Sequence, residues 1–304
     1  MMRFKQFYIA MTNRCNLKCR MCTTTTHPHQ LEEELSLDQW EGIIDNITRF
    51  QVESVGFGGG EPLVRQEDLI RLAGLVAARG ITVNIITNAT LLKTDFLEAV
   101  LPYREKIIFL FSLDGLEAEN DRIRGEGVFK KVIETADLLQ KYQWPFYITS
   151  VLQPDNFLGF VSFLTFVNKR YPQVQIDIQP IIPHNEIYYR RKKFELGEEQ
   201  LEALKGILNF LHDNEGIIRL CRSLKIIDKY WDYFNNTLRS ENQCKMGTES
   251  FNINLRGNLW ICGKELEYPL YRYPLEEVFR SNEYLGEMER VKRCASPCLA
   301  GLVI

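Results

Sequence analysis

The stretch KQFYIAMTNRCNLKCRMC, residues 5–22, joins an apolar run to a loop rich in cysteine. Phe7, Ile9 and Met11 recur at every second position, which predicts a half-buried strand over Lys5–Thr12. Three cysteines follow within eight residues, in a connection that runs to about residue 35. Loops of this length inside a folded domain are usually functional or disordered. The stretch therefore predicts a strand whose carboxyl end carries a chemically active loop.

This strand begins a regular alternation of strands and helices. Five further runs rich in valine, isoleucine and phenylalanine predict strands at Val52–Gly58, Ile81–Thr87, Ile107–Leu113, Phe146–Leu152 and Val174–Ile182. Amphipathic helical patterns lie between them, and the first of these begins at a capping box formed by Ser36 and Gln39. Six strand-then-helix units predict an α/β fold with a parallel sheet and right-handed crossovers, open or curled into a partial (β/α)6 barrel. In such sheets the functional groups gather at the carboxyl ends of the strands.

The pattern changes after residue 183. The sequence predicts helices at Glu198–Asn214 and Ile217–Leu238, a hairpin with strands Phe251–Leu255 and Leu259–Cys262, and a last helix at Leu275–Val291. We place a domain boundary near residue 215. This boundary divides the chain into a barrel domain, residues 1–215, and a small C-terminal α+β domain, residues 216–304.

Composition and charge exclude several classes of protein. The 304 residues carry 37 basic and 40 acidic side chains, a net charge of −3. A dedicated nucleic-acid binder would show a basic excess, so we expect no nucleic-acid partner. No apolar run approaches the roughly 18–20 residues of a membrane span, and the first residues lack the apolar segment of a secretory signal. We therefore expect a cytoplasmic protein without a membrane partner.

The eight cysteines are clustered along the chain. Three lie at positions 15, 19 and 22, four at 244, 262, 294 and 298, and one alone at 221. Eight cysteines among 304 residues are too few for a disulfide-stabilised scaffold. In a reducing compartment such residues are thiols or metal ligands.

The first cluster, C-x3-C-x2-C, places three thiolates on one short loop. A closed structural zinc site usually has four protein ligands, commonly two well-separated pairs. Three cysteines suit a 4Fe–4S cluster in which three irons are held by protein and the fourth is open to another ligand. A zinc site and a chance group of buried thiols remain alternatives on the cysteines alone.

This motif at the end of a first strand resembles that of the radical S-adenosylmethionine (radical SAM) enzymes. Gly58-Gly59-Gly60-Glu61-Pro62 resembles the family's Gly-Gly-Glu-Pro segment. Ser112-Leu113-Asp114-Gly115, followed by Asn120 and Arg124-Gly125, resembles the fourth-strand segment of the branch with added C-terminal clusters. The resemblance covers roughly residues 5–182 and implies a radical SAM partial barrel.

The resemblance also implies residue roles. Cys15, Cys19 and Cys22 would hold the catalytic cluster, and the backbone of Gly59 and Gly60 would approach S-adenosylmethionine. Glu61 would accept hydrogen bonds from the ammonium group of S-adenosylmethionine, while Ser112 and Arg124 would contact its carboxylate and ribose. Met21 stands where the family usually has an aromatic residue and would pack against adenine. Thr87 and Asn88, at the end of the third strand, are further candidates for the same site.

The C-terminal cysteines, with Gly257 between the first two, resemble the twitch domain, a shorter relative of the SPASM domain. The resemblance implies an auxiliary 4Fe–4S cluster held by Cys244, Cys262, Cys294 and Cys298. A structural zinc site with the same four ligands is the competing interpretation. We interpret Cys221 as a helix-packing thiol; the alternative is a hydrogen-atom donor, as in radical SAM epimerases.

These motifs lead to a functional prediction with alternatives. The resemblance implies reductive cleavage of S-adenosylmethionine to a 5′-deoxyadenosyl radical, with electrons from a donor such as flavodoxin or ferredoxin. It also implies oxidative modification or cross-linking of a ribosomally made peptide. A dehydrogenase or epimerase acting on a sugar or aminocyclitol is the alternative substrate class. A zinc-binding interaction protein without catalysis is the alternative outside enzymes.

Overall fold

One sheet of nine strands organises the residues described by the computed structural model, which are 3–22, 34–182, 193–239, 244–294 and 299. The strands are β1 Arg3–Thr12, β2 Gln51–Gly59, β3 Thr82–Thr87, β4 Ile107–Ser112, β5 Phe146–Leu152, β6 Ile176–Pro180, β7 Ser250–Ile253, β8 Leu259–Ile261 and β9 Lys264–Glu265. The helices are α1 Leu37–Ile47, α2 Gln66–Ala77, α3 Thr94–Val100, α4 Glu117–Arg124, α5 Val128–Lys141, α6 Phe157–Arg170, α7 Glu198–Asp213, α8 Leu224–Ile227, α9 Lys229–Phe234, α10 Leu275–Arg280 and α11 Asn282–Lys292. Short 3-10 helices occupy Pro62–Arg65 and Leu101–Lys106. None of the described helices is long and apolar enough to span a membrane.

The first six strands are parallel and lie in the order β6-β5-β4-β3-β2-β1. Each crossover moves one place in the same direction, so right-handed connections put the helices on one face of the sheet. In β4, Ile107, Phe109 and Phe111 are fully buried on that face, while the alternate residues, including Ser112, are partly exposed on the other. The α/β prediction with a partial (β/α)6 barrel is therefore confirmed, and the second face is its concave interior.

The remaining strands extend the same sheet beyond β1. β7 pairs parallel to β1, with Phe7 opposite Phe251, and their rings stack at 5.0 Å between centroids. The predicted hairpin is confirmed as the antiparallel pair β7–β8, to which β9 adds a short third strand. From α1, Asn46 donates to the carbonyls of Leu270 (2.7 Å) and Tyr273 (2.8 Å), which ties the barrel to the chain after the hairpin. The domain boundary near residue 215 remains a prediction.

Two predicted helices differ from the structure. Ile217–Leu238 is not one helix, because its first residues pair with β6. The N–H of Ile176 donates to the carbonyl of Arg219 at 2.7 Å, and the N–H of Cys221 donates to the carbonyl of Ile176 at 3.0 Å. Residues 219–221 thus satisfy backbone groups at the edge of β6, and only α8 and α9 are helical. Leu275–Val291 is interrupted at Ser281, whose extended backbone ends α10 and whose hydroxyl accepts from the N–H of Tyr284 to cap α11.

Candidate functional site

The end of β2 packs closely against the start of the cysteine loop. The N–H of Gly60 donates to the carbonyl of Thr12 at 2.7 Å, and the N–H of Glu61 donates to that of Arg14 at 2.9 Å. A Cβ on Gly60 would overlap the Arg14 carbonyl oxygen, and one on Gly59, whose φ is +112°, would overlap that of Thr12. The two glycines therefore permit contact between two protein segments. Their predicted contact with S-adenosylmethionine remains a prediction.

The three N-terminal thiols lie together on a loop that is also held from a second side. The N–H of Arg20 donates to the carbonyl of Ile123, near the end of α4, at 2.9 Å. Cys15, Cys19 and Cys22 are each half-buried. Burial raises the pKa of Cys15 and of Cys19, and the neighbouring thiols raise both further. The loop therefore brings together the three predicted ligands.

These thiols fit a polynuclear cluster. The N–H of Leu17 donates to Cys15 Sγ at 3.4 Å, and backbone donors of this kind typically surround cluster thiolates. Within the described segments, no three histidine, cysteine, aspartate or glutamate side chains are close enough to hold one metal ion. Thiolates of a polynuclear cluster bind different irons, so they need not meet at one point.

Glu61 lies fully buried beside this loop. Its Oε1 accepts from the N–H of Leu63 (3.0 Å) and the hydroxyl of Thr87 (2.8 Å), and its Oε2 accepts from the N–H of Asn88 (2.8 Å). Burial raises the pKa of Glu61, whereas these three hydrogen bonds lower it. Thr87 and Asn88, both candidates from the sequence, therefore hold the carboxylate of Glu61, the predicted cofactor-binding residue, in a fixed position.

Arg124 forms a buried ion pair with Asp114. Its Nε lies 2.7 Å from Asp114 Oδ2, with side-chain exposures of 8% and 0%. Burial lowers the pKa of Arg124, but Asp114 and then Cys19 raise it above its ordinary value. The guanidinium therefore lies between a buried carboxylate and a predicted cluster ligand. Its predicted contact with the carboxylate of S-adenosylmethionine remains untested.

Ser112 and Met21 complete the predicted cofactor residues. Ser112 ends β4, is partly exposed on the concave face and pairs in register with Thr149 of β5. Met21 is partly exposed in the turn between Cys19 and Cys22. Both residues thus lie at the carboxyl edge of the parallel strands, where a cofactor can reach them. Their contacts with S-adenosylmethionine remain predictions.

Sequence reasoning missed a clamp at the two ends of the cysteine loop. Glu34 accepts from the hydroxyl of Thr12 and, at 3.0 Å, from the guanidinium of Arg14. Arg65 lies 3.6 Å from Glu34 and donates to the carbonyl of Leu35 at 2.9 Å. The entry and exit of the loop are therefore joined independently of the cysteines. A Glu–Arg pair separated by 31 positions leaves no local pattern in the sequence.

A second missed feature is an ion pair at β6. Asp177 pairs in register with Thr149, and Arg222 contacts its carboxylate with Nε at 2.5 Å and Nη2 at 3.1 Å. Gln179 donates to the same carboxylate at 2.6 Å. Ser112, Thr149 and Asp177 occupy in-register positions on the adjacent strands β4, β5 and β6. The ion pair therefore continues the row of polar residues across the sheet that begins at Ser112, which is predicted to contact the cofactor.

Two of the C-terminal cysteines, Cys262 and Cys294, are connected through α11. Arg290 in this helix donates to the carbonyl of Cys262 at 3.3 Å, and the N–H of Cys294 donates to the carbonyl of Val291, in the last turn, at 3.1 Å. Cys244, Cys262 and Cys294 are each half-buried. Cys298 lies outside the described residues. The auxiliary cluster remains a prediction.

Cys221 is not a helix-packing thiol, so that interpretation is wrong. The residue is exposed and lies in a bend beside β6, outside any helix. Its N–H donates to the carbonyl of Ile176, the first residue of β6, at 3.0 Å. Its backbone therefore lies beside the first residue of that strand, one position before Asp177. The role of Cys221 as a hydrogen-atom donor stays a prediction.

Parts of the sequence are similar to several other proteins. An Fe-coproporphyrin III synthase of Methanosarcina barkeri is 35% identical over 120 residues, 39% of this chain and 30% of that protein. A PqqA peptide cyclase of Rhodopseudomonas palustris is 30% identical over 150 residues, 49% and 39% of the two chains. The mycofactocin maturase MftC of Mycolicibacterium smegmatis is 35% identical over 130 residues, 42% and 32% of the chains. The matches span roughly a third of the length of these relatives.

Solved structures share the fold at low sequence identity. Streptococcus suis SuiB bound to S-adenosylmethionine superposes with a TM-score of 0.75 at 17% identity, covering 99% of this chain and 74% of that one. anSMEcpe with bound AdoMet gives a TM-score of 0.73 at 17% identity, covering 92% and 82%. A sequence model described as the Radical SAM superfamily matches residues 9–167, which is more than half of the chain. The protein therefore belongs to the radical SAM superfamily.

Proposed function

We propose that the protein reductively cleaves S-adenosylmethionine and uses the resulting radical to abstract hydrogen from a ribosomally made peptide, which it oxidises or cross-links. The observation that carries the proposal is the junction of the cysteine loop with the Gly-Gly-Glu-Pro segment. Glu61 N–H donates to the carbonyl of Arg14, the residue before Cys15, at 2.9 Å. Glu61, which is predicted to bind S-adenosylmethionine, and Cys15, the first predicted cluster ligand, therefore lie on two segments joined by a backbone hydrogen bond.

The residues of the chain would bind and orient, while the cofactors supply the reactivity. When bound, the cluster and S-adenosylmethionine supply a 5′-deoxyadenosyl radical. Cys15, Cys19 and Cys22 would hold the cluster, and Glu61 would receive the ammonium group of S-adenosylmethionine. Ser112 and Arg124 would receive its carboxylate and ribose. The concave face of the sheet would exclude water around the reacting carbon, which protects a radical from quenching.

We also propose an auxiliary 4Fe–4S cluster bound by Cys244, Cys262, Cys294 and Cys298. The attachment of α11 to the carbonyl of Cys262 through Arg290 supports this assignment, because it links the hairpin to the segment of Cys294. Four thiolates leave no iron open, so such a cluster suits electron transfer or structural support. An electron accepted there would let the substrate leave oxidised.

A peptide substrate is supported by the relatives. The PqqA peptide cyclase is named for a peptide substrate, and SuiB has been solved bound to the precursor peptide SuiA. The similarity to Fe-coproporphyrin III synthase favours a second candidate, a small-molecule substrate. We further propose a flavodoxin or ferredoxin as electron donor and a cytoplasmic location, because cluster thiolates need a reducing compartment.

Iron analysis and a cleavage assay test this function. The anaerobically reconstituted chain is expected to hold about eight irons, two clusters' worth. With dithionite and S-adenosylmethionine it is expected to form 5′-deoxyadenosine. Replacing Cys15, Cys19 and Cys22 together by alanine is expected to abolish that product and to leave about four irons at the C-terminal cysteines. Stoichiometric zinc without iron-dependent absorbance, or undiminished product from the triple variant, would contradict the proposal.

Candidate substrates distinguish the two classes. Incubation of the reconstituted enzyme with a peptide encoded next to its gene is expected to give a product lighter by two hydrogens, measured by mass spectrometry. Turnover of a sugar, aminocyclitol or porphyrin, with none of the peptide, would favour the small-molecule candidate.

A further inference from the structure

The turn after β3, residues 87–90, has a backbone conformation that its sequence does not favour. Ala89 has φ +63°, in the left-handed region, although it is not a glycine and is fully buried. The N–H of Ala89 donates to the hydroxyl of Thr87, and its carbonyl accepts from the hydroxyl of Thr135 in α5, both at 3.0 Å. Strained residues of this kind persist where the surroundings fix them and often mark functional sites.

The turn directs Asn88 toward two separate groups. Its backbone N–H donates to Glu61 Oε2 at 2.8 Å. Its side-chain Nδ2 donates to Asn16 Oδ1 at 2.9 Å and lies 3.9 Å from Cys15 Sγ. Asn88 therefore bridges the carboxylate of Glu61, which is predicted to bind the cofactor, and the sulfur of Cys15, the first predicted cluster ligand.

The orientation of the Asn88 amide is fixed by its neighbours. Asn88 Oδ1 accepts from the N–H and the hydroxyl of Thr90, at 3.0 and 2.7 Å. A backbone N–H can only donate, so the oxygen faces Thr90 and the nitrogen faces the cysteine loop. Asn16 Nδ2 donates to the Thr90 hydroxyl at 2.8 Å and closes a ring of hydrogen bonds among the three side chains.

We propose that Asn88 is a positioning residue that tunes the N-terminal cluster through its side-chain N–H to Cys15 Sγ and fixes that ligand relative to Glu61. The inference rests on the proposed assignment of Cys15 as a cluster ligand. Hydrogen bonds to ligand sulfurs stabilise the reduced, more negative cluster and raise its reduction potential. Cys15 Sγ also accepts from the N–H of Leu17, so Asn88 supplies a side-chain donor beside a backbone one.

Two substitutions at Asn88 separate this role from packing. Asn88→Leu keeps the side-chain size and the backbone bond to Glu61 but removes the donor. Asn88→Asp is isosteric and puts a negative charge beside the sulfur. Asn16→Ala is the matched control, because it breaks the ring but leaves the Asn88 donor near Cys15.

The test is an EPR-monitored redox titration of each reconstituted variant. The N-terminal cluster is identified as the signal that changes when S-adenosylmethionine is added, since only an open iron can bind it. We expect the midpoint potential to become more negative in Asn88→Leu and more negative still in Asn88→Asp, with the Asn16→Ala value at wild type. Iron release to a chelator is expected to be about tenfold faster in both Asn88 variants, as for other outer-shell substitutions.

The outcomes are distinguishable. Unshifted potentials in both Asn88 variants, or an equal shift in Asn16→Ala, would overturn this inference alone. A wild-type protein without any cluster that responds to S-adenosylmethionine would overturn the proposed function and this inference together. If Asn88→Leu fails to fold, the isosteric Asn88→Asp variant decides the matter.

Discussion

Removing the guanidinium of Arg124 is expected to destabilise the metal-free protein by about 3–5 kcal/mol, the usual cost of leaving one member of a buried ion pair without its partner. The magnitude follows from burial, because Asp114 has an exposure of 0% and Arg124 one of 8%. The comparison is the pair between Arg170 and Asp137, in which both side chains are 43% exposed. Solvent screening reduces such a pair to about 0–1 kcal/mol.

The measurement is urea denaturation of Arg124→Met and Arg170→Met under reducing conditions without iron or S-adenosylmethionine. Any loss of stability then reports the contact with Asp114 and not a cofactor contact. The double variant Asp114→Asn/Arg124→Met is expected to be more stable than Arg124→Met alone, because it removes the uncompensated charge and keeps an acceptor for the N–H of Val151. If Arg124→Met costs no more than Arg170→Met, the ion pair does not stabilise the site.

Three further predictions follow from other contacts. Gly60→Ala is expected to lower the iron content after reconstitution, since its Cβ would overlap the carbonyl of Arg14. Gly206→Ala, in open space on α7, is the control and is expected to leave the iron content unchanged. Equal iron content in the two variants would contradict the packing argument. Asn46→Ala is expected to lower the free energy of unfolding by about 1–3 kcal/mol for each buried backbone group it orphans, measured by urea denaturation; a loss below 1 kcal/mol would show that these bonds do not hold the C-terminal segment. Although the residue Cys221 is exposed, desolvation of its thiol group and then Asp177 raise the pKa of this thiol to about 12. Its alkylation by iodoacetamide is therefore expected to rise about tenfold per pH unit from pH ~8 to ~10. A plateau near pH ~9, as for an ordinary thiol, would refute that environment.

Local periodicity was sufficient to predict the parallel sheet. Alternating apolar residues located β1 to β6 within about two residues of their observed ends, and the Ser36–Gln39 capping box is present at α1. These features depend on neighbours in sequence. The C-x3-C-x2-C and Gly-Gly-Glu-Pro motifs also located the cysteine loop and Glu61, because the residues of each motif are neighbours in sequence and lie on one short segment of backbone.

The failures concern contacts between distant segments. The pairing of residues 219–221 with β6 depends on an exposed sheet edge, so the helical pattern of Ile217–Leu238 was misleading. The parallel pairing of β7 with β1 joins residues about 240 positions apart. The partners of Arg65 and Arg222 likewise lie 31 and 45 positions away. No local pattern encodes such pairs, since any acidic side chain could have satisfied these arginines.

The close approach of the cysteine motif and the Gly-Gly-Glu-Pro motif has a physical cause in this chain. Arg14 immediately precedes Cys15, and Gly60 immediately precedes Glu61. The N–H groups of Gly60 and Glu61 donate to the carbonyls of Thr12, at the end of β1, and of Arg14, in the cysteine loop. The absence of a side chain at residue 60 lets the segments approach. One pair of backbone hydrogen bonds therefore sets the position of the first cysteine relative to the buried carboxylate. A larger residue in place of Gly60 would separate these groups even if every cysteine were kept, so neither motif alone is sufficient to form the site.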